Sequence, residues 1–171
     1  MDHCIESIRI EVSEQVDMLS QAAALIDHRD DNAHPLDHAS FFRSRAVIVA
    51  LTPDNTVIGC AAIKEGQGDV AEFGYLVVAP AFRRRGIAQR LTEKRTQVAK
   101  DLGIKLLFAT IRDENQASKA NLLKAGWHFW ANFLSIRGTG NVVGWYYFAL
   151  DAATNVDQMM SSLVGDRITV K

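Results

Sequence analysis

The chain is poor in the residues that mark specialised protein classes. Its two cysteines, Cys4 and Cys60, stand far apart among 171 residues, with no C-x-x-C pair and no paired histidines beside them. That excludes a disulfide scaffold and a thiolate zinc site, and leaves two free thiols. Only three prolines are present, with no low-complexity tract and no internal repeat. No apolar run approaches the ~18 residues that a membrane helix needs, and the opening MDHCIES lacks both a basic and an apolar region. A cytoplasmic protein with no membrane partner is therefore expected. Excess charge is also missing: 19 basic residues face 20 acidic ones, for a net charge of −1. That balance offers no global field for nucleic acid, so a basic site has to be local. Neither the P-loop pattern G-x-x-x-x-G-K-[ST] nor the dinucleotide pattern G-x-G-x-x-G occurs.

What is present is an ordinary globular composition, 48% hydrophobic and 23% charged. The length suits one domain, placed at residues 1–150, with a tail at 151–171 whose apolar patch (Met159, Met160, Leu163, Val164) predicts a docked short helix. Residues 5–11 alternate as a strand, and the spacing of Leu19, Ala22, Ala23 and Ile26 predicts a helix from near Ser13. A second short helix is expected over Leu36 to Arg45. His28, His34 and His38 fall close together, but no H-E-x-x-H spacing supports a metal, and none is expected. The apolar runs Ala46–Leu51, Val57–Ile63 and Val70–Val78, joined by short polar turns, predict an antiparallel meander. A helix from Gly86 to about Leu102 then separates the third run from Lys105–Ile111, so those two strands should be parallel neighbours. A short helix over Ala117–Lys124 and two aromatic strands, Trp127–Leu134 and Trp145–Leu150, complete the series. The fold class is α+β, with a mixed, mostly antiparallel sheet of about six or seven strands flanked by helices.

The stretch from Asp69 to Leu91 organises the rest. Pro80 ends the strand, and Arg83-Arg84-Arg85-Gly86-Ile87-Ala88 leads into a helix. A strand, a basic turn and a helix N-terminus gather backbone N–H groups into an anion site. Standing without Gly86 and that strand, the three arginines would read as a solvated patch or a weak nucleic-acid contact.

The run V-x-P-x-F-R-x-x-G-x-A, from Val78 to Ala88, resembles the acyl-CoA motif [RQ]-x-x-G-x-[GA] of the GNAT superfamily of N-acyltransferases. Downstream, Asn115, Ser118, Leu122, Lys124, Gly126 and Trp127 are similar to that family's N-x-x-[AS]-x-x-x-[YL]-x-K-x-G-[FW]. The resemblance covers about residues 46–150 and implies an acyl-CoA cleft between the central strand and the helix that follows it. Acetyl-CoA is the implied co-substrate. Backbone amides of Arg84, Arg85, Gly86, Ile87 and Ala88 would face its pyrophosphate, with Arg83 at the motif's first position. Main-chain groups of Leu76, Val77 and Val78 would pair with its pantetheine arm, and the Val78 N–H would polarise the thioester carbonyl. Asn115 and Ser118 would stand beside the same arm.

Glu72 is the acidic residue inside the Val70–Val78 run and the expected general base for an amine acceptor, at the place where histone-acetylating members carry a glutamate. The alternative for it is a glutamate paired with a nearby arginine. Leu122 departs from the family: many members carry there a tyrosine that protonates the departing thiolate. Ser118, Asn121, Tyr75 and Tyr146 remain as donors. The resemblance implies acetyl transfer to a primary amine of a small molecule or protein. A non-catalytic acyl-CoA-binding protein is the alternative, and the aromatic final strands offer a surface for a homodimer.

Overall fold

Ala46–Leu51 (β2) and Val57–Ile63 (β3) are apolar and buried at every position, the mark of strands covered on both faces. The computed structural model describes residues 7–29 and 35–171. Its elements run β1 (Arg9–Val12), α1 (Val16–Asp27), α2 (His38–Phe42), β2, β3, β4 (Val70–Val78), α3 (Ile87–Asp101), β5 (Leu106–Arg112), α4 (Gln116–Lys124), β6 (His128–Leu134), β7 (Val142–Ala149), α5 (Val156–Val164) and β8 (Thr169–Val170). A 3₁₀ turn, Pro80–Phe82, links β4 to α3. The described residues form one mixed sheet of eight strands, ordered β1-β2-β3-β4-β5-β7-β6-β8.

The meander holds, and β4 and β5 are the parallel pair that the intervening helix requires. Four details differ from the sequence reading. The expected first strand begins at Arg9, and residues 5 and 6, like Cys4 and His34, lie outside the described residues. The helix α1 starts at Val16, three residues beyond Ser13, whose backbone N–H donates to the Val47 carbonyl (2.9 Å) as an extension of the β1 edge. The second helix shrinks to His38–Phe42, with Asp37 as its cap. Finally, β7 inserts between β5 and β6, and the last residues add β8 beside β6.

Register assigns the faces. Val70, Glu72 and Phe108 share one face, with Lys64 directly across from Glu72. On that face α1 packs on Val47, Val49 and Cys60, while Met160 and Val164 of α5 pack on Leu106, Phe133 and Trp145. Ala71, Phe73 and Leu107 point to the opposite face, where α3 and α4 lie through Ala99 and Leu122. Glu72 therefore looks out between α1–α2 and α5.

Candidate active site

The sheet splits at Glu72. Pairing between β4 and β5 runs only over Val70–Glu72 against Leu106–Phe108, whereas β5 follows β7 along its whole length. Beyond Glu72 the strands part, and the reason is local. Between Cys60↔Val77 and Ala62↔Gly74 the chain spends one more residue on β4 than on β3, a bulge that bends the strand. Tyr75 within it has φ 58°, the left-handed conformation that a side chain rarely adopts.

Arg95 of α3 completes the bulge. Its Nη1 donates to the carbonyls of Ala62 (3.1 Å) and Gly74 (3.0 Å), the pair at one end of the irregularity, one from each strand, and its guanidinium lies 3.9 Å over the Phe73 ring. The side chain is 2% exposed, and burial pushes its pKa down to about 9. A cation that no carboxylate among the described residues pairs with is thus held by carbonyl dipoles and an aromatic face.

The gap opens into a cavity of about 660 Å³. It brings together Glu72, Tyr75, Leu76, Asn115, Ser118 and Leu122 from the sequence reading. Glu72 keeps 27% of its side chain exposed and faces Lys64 Nζ at 3.3 Å, so its cationic partner is a lysine rather than an arginine. The β3–β4 turn holds the signal for that pair: residues 64 and 72 close a hairpin, where the Lys64 N–H donates to the Glu72 carbonyl (2.8 Å). Burial pushes the Tyr75 phenol above its ordinary range, and the Glu72 charge adds to the shift. The phenol accordingly stays protonated. The Asn115 Oδ1 accepts from the Ser118 N–H (3.2 Å), capping α4.

The other expected residues lie around the cavity rather than in its wall. Val77 is buried in the cluster under α1. The Ala79 N–H donates to the Ile58 carbonyl (2.8 Å), so the alternation of an antiparallel ladder turns the preceding amide, that of Val78, away from β3 and toward the split. Arg83 Nε donates to the Val78 carbonyl (3.0 Å), tying the basic turn to the strand end. Arg84 has φ 61°, and Arg85 rests over the Phe82 ring at 5.6 Å. Gly86 caps α3 with φ 79° and no side-chain acceptor. The first intrahelical bond runs from the Arg90 N–H to the Gly86 carbonyl (3.1 Å), which leaves the amides of Ile87, Ala88 and Gln89 without helical partners. Ile87 itself is buried and anchors the helix start.

Two of the four expected donors are engaged elsewhere. Asn121 Nδ2 donates to Thr92 Oγ1 (2.8 Å), and Tyr146 is buried beneath α3 and α4. Sequence reasoning places the acceptor cleft in residues 28–45 and 131–146, and the cavity is indeed lined by Arg29 and the β6–β7 turn (Ser135, Arg137). It missed Lys64, Arg95 and the part of the far wall made by Leu163 and Arg167 of the C-terminal segment. Among the described histidines, His28 Nδ1 contacts the Ala24 carbonyl (2.6 Å) and His38 Nε2 faces Asp27 (2.9 Å). The described residues hold no group of three or more His, Cys, Asp or Glu arranged for a metal, and no helix among them is long and apolar enough to cross a membrane.

A mixed sheet that splits beside a carboxylate, next to an uncapped helix start, is a frame for group transfer between two bound substrates. The sequence profile of the acetyltransferase (GNAT) family matches residues 14–127, and the chain belongs to that family. No curated protein matches the sequence. Solved structures with the same fold include an N-acetyltransferase from Staphylococcus aureus (17% identity, TM-score 0.70, covering 84% of this chain and 99% of the other). An IAA acetyltransferase from Bacillus cereus is similar at 17% identity and TM-score 0.68, over 84% and 100% of the two chains. YncA from Salmonella typhimurium, solved with its cofactor acetyl-CoA, is similar at 17% identity and TM-score 0.67, over 86% and 96%. At such identities the likeness bears on the fold alone.

Proposed function

We propose that the protein is an acetyl-CoA-dependent N-acetyltransferase that passes the acetyl group directly to a primary amine, with Glu72 as general base. The observation that carries this reading is the position of Glu72 at the point where β4 and β5 separate, with the Val78 amide turned toward the same gap. The residues fit the co-substrate. The partnerless amides of Ile87 and Ala88, the helix dipole and the nearby Arg83, Arg84 and Arg85 offer positive potential to a pyrophosphate. The parted strand edge at Leu76–Val78 offers main-chain pairing to an extended amide arm, and Asn115 and Ser118 stand across the gap.

An amine is mostly protonated near neutrality and must lose a proton before attack. Glu72 takes that proton, directly or through a water, while Lys64 fixes the orientation of the carboxylate. The amine nitrogen bonds to the acetyl carbon, the carbon–sulfur bond breaks, and the Val78 N–H stabilises the charge on the carbonyl oxygen. The thiolate leaves with a proton from Tyr75 or Ser118, or unprotonated, since a thiol of pKa ~8.5 is a tolerable leaving group. Cys60 plays no part: it is fully buried, and its thiol is pushed up to about 12.

Leu122 in the usual place of the acid favours one second reading, a protein that binds acyl-CoA without turnover. Glu72→Gln separates the two. For an enzyme, CoA release should fall ~10²–10⁴-fold while the acetyl-CoA Kd from calorimetry stays within about twofold. Wild-type protein that binds acetyl-CoA but releases no CoA with any amine would leave only the binding role.

A further inference from the structure

We propose that the acceptor is a small primary amine that carries its own carboxylate, and that Arg167 of the C-terminal segment binds this carboxylate with Arg137 beside it. The inference rests on the acetyltransferase reading and names the substrate class of the same cleft.

The cavity wall holds six basic side chains and one acidic one in a chain whose net charge is −1. Four of the six are engaged. Lys64 faces Glu72, Arg112 faces Glu114 at 3.4 Å, Arg95 donates to buried carbonyls, and Arg29 has an interaction of its own. Arg167 and Arg137 differ: no carboxylate among the described residues pairs with either, and, unlike Arg95, Arg167 is only half-buried and Arg137 is exposed.

Arg167 is preorganised. Its Nη1 donates to the carbonyls of Leu163 (3.0 Å) and Val164 (2.7 Å) at the end of α5, and its guanidinium sits 5.1 Å over the Trp145 ring. Those contacts fix the plane of the group through one nitrogen and leave the others for the two oxygens of a carboxylate. Arg137, on the exposed turn between β6 and β7, is near enough to act electrostatically on Tyr75.

These cations are badly placed for the co-substrate's phosphates. The anion-binding turn is at Arg83–Ala88, and none of those six residues lines the cavity. Between Glu72 and Arg167 lies an apolar floor. Phe108 is the register partner of Glu72 and stacks on Trp145 at 5.6 Å and 8°. Two strand spacings, about 10 Å, separate Glu72 from the Trp145 strand. A ligand with an amine at one end, an apolar body and a carboxylate at the other matches this order of surfaces. Amino acids, including those whose amine and carboxylate are several carbons apart, have that form.

The test measures CoA release from acetyl-CoA with matched pairs: aliphatic, aromatic and ω-amino acids, each against its primary amide, with spermidine as a dicationic comparison. Calorimetric binding of acetyl-CoA is measured separately. The acids should exceed their amides by at least tenfold in kcat/KM. Arg167→Ala should raise KM for the acids about 10–100-fold, the loss of a charge-assisted hydrogen-bonded pair. It should leave the KM for acetyl-CoA unchanged and bring the preference for acids over amides down toward unity. Arg167→Lys should fall between, and Arg137→Ala, at an exposed position, should give a smaller rise in the same KM. If Arg167→Ala melts below the assay temperature, these last two variants carry the test.

Equal use of amides or spermidine, equal loss on acids and amides in Arg167→Ala, or no turnover of any acid by a protein that binds acetyl-CoA would overturn the proposal while leaving the acetyl-CoA site standing. Failure to bind acetyl-CoA would overturn both.

Discussion

Glu72 and Cys60 show how two side chains on one face of the same sheet acquire opposite characters. Glu72 sits where the pairing of β4 with β5 ends, so it stays partly exposed in the cavity wall, and Lys64 balances its charge. Cys60 is fully buried beneath α1, and its thiol donates weakly to the Tyr75 carbonyl at 3.5 Å. Burial raises its thiol from 9.0 to about 12, so the folded protein holds a proton there that the unfolded chain releases. Stability from this group is complete below pH 9 and is lost as the pH climbs toward 12. In a Cys4→Ser background the protein should be inert to an aromatic disulfide reagent at pH 8 and should react with one equivalent in denaturant. Rapid reaction of the native protein would show that the cluster under α1 is open.

At the scale of elements, the feature that makes a site out of a sheet is the β4 bulge, and Arg95 holds it. An irregular ladder leaves carbonyls without strand partners, and a buried carbonyl without a donor costs ~1–3 kcal/mol. Arg95 supplies both Ala62 and Gly74 from a single nitrogen, at the expense of burying a charge. Arg95→Met keeps much of the volume and removes both donors. It should lower unfolding free energy by about 2–4 kcal/mol in a denaturant titration, and weaken acetyl-CoA binding under conditions where the variant is still folded. A variant as stable as the wild type would mean that the bulge keeps its shape without the arginine. Nothing in the sequence around Arg95 marks it: IAQRLTEKRTQVAKD reads as an ordinary basic surface helix, and only the packing of α3 turns this one arginine inward.

For the molecule as a whole, the C-terminal segment matters more than its polar composition indicates. The helix α5 covers the β5–β7–β6 half of the sheet as α1 covers the other half, and β8 closes the edge beside β6. Met160 is fully buried there, with Val164 at 5%. Met160→Ala should cost about 2–5 kcal/mol by thermal or chemical unfolding, a large share of the ~5–15 kcal/mol of a typical domain. Because Arg167 and Leu163 belong to the same segment, the same variant should also raise the acceptor KM more than that for acetyl-CoA. An unchanged melting temperature would show that α5 is only loosely applied.

Order and type of the elements from Ala46 to Ala149 are written in local chemistry: apolar runs of strand length, turns of Gly, Asp and Asn, and the Gly86 helix start. Each depends on neighbours a few residues apart, and so do the two motifs at Val78–Ala88 and Asn115–Trp127. Glu72 was legible for the same reason, as one acid within an apolar strand. The insertion of β7 between β5 and β6, the carbonyls that claim Arg95, and the part of the far wall built from residues 163–167 were not legible. These rest on contacts between segments distant in sequence, such as Arg167 with Trp145 or Arg95 with Gly74. Pattern and periodicity sense only near neighbours, so the basic turn at Arg83–Ala88 was visible in the chain, while the far wall of the cavity was completed only when the tail folded back across the sheet.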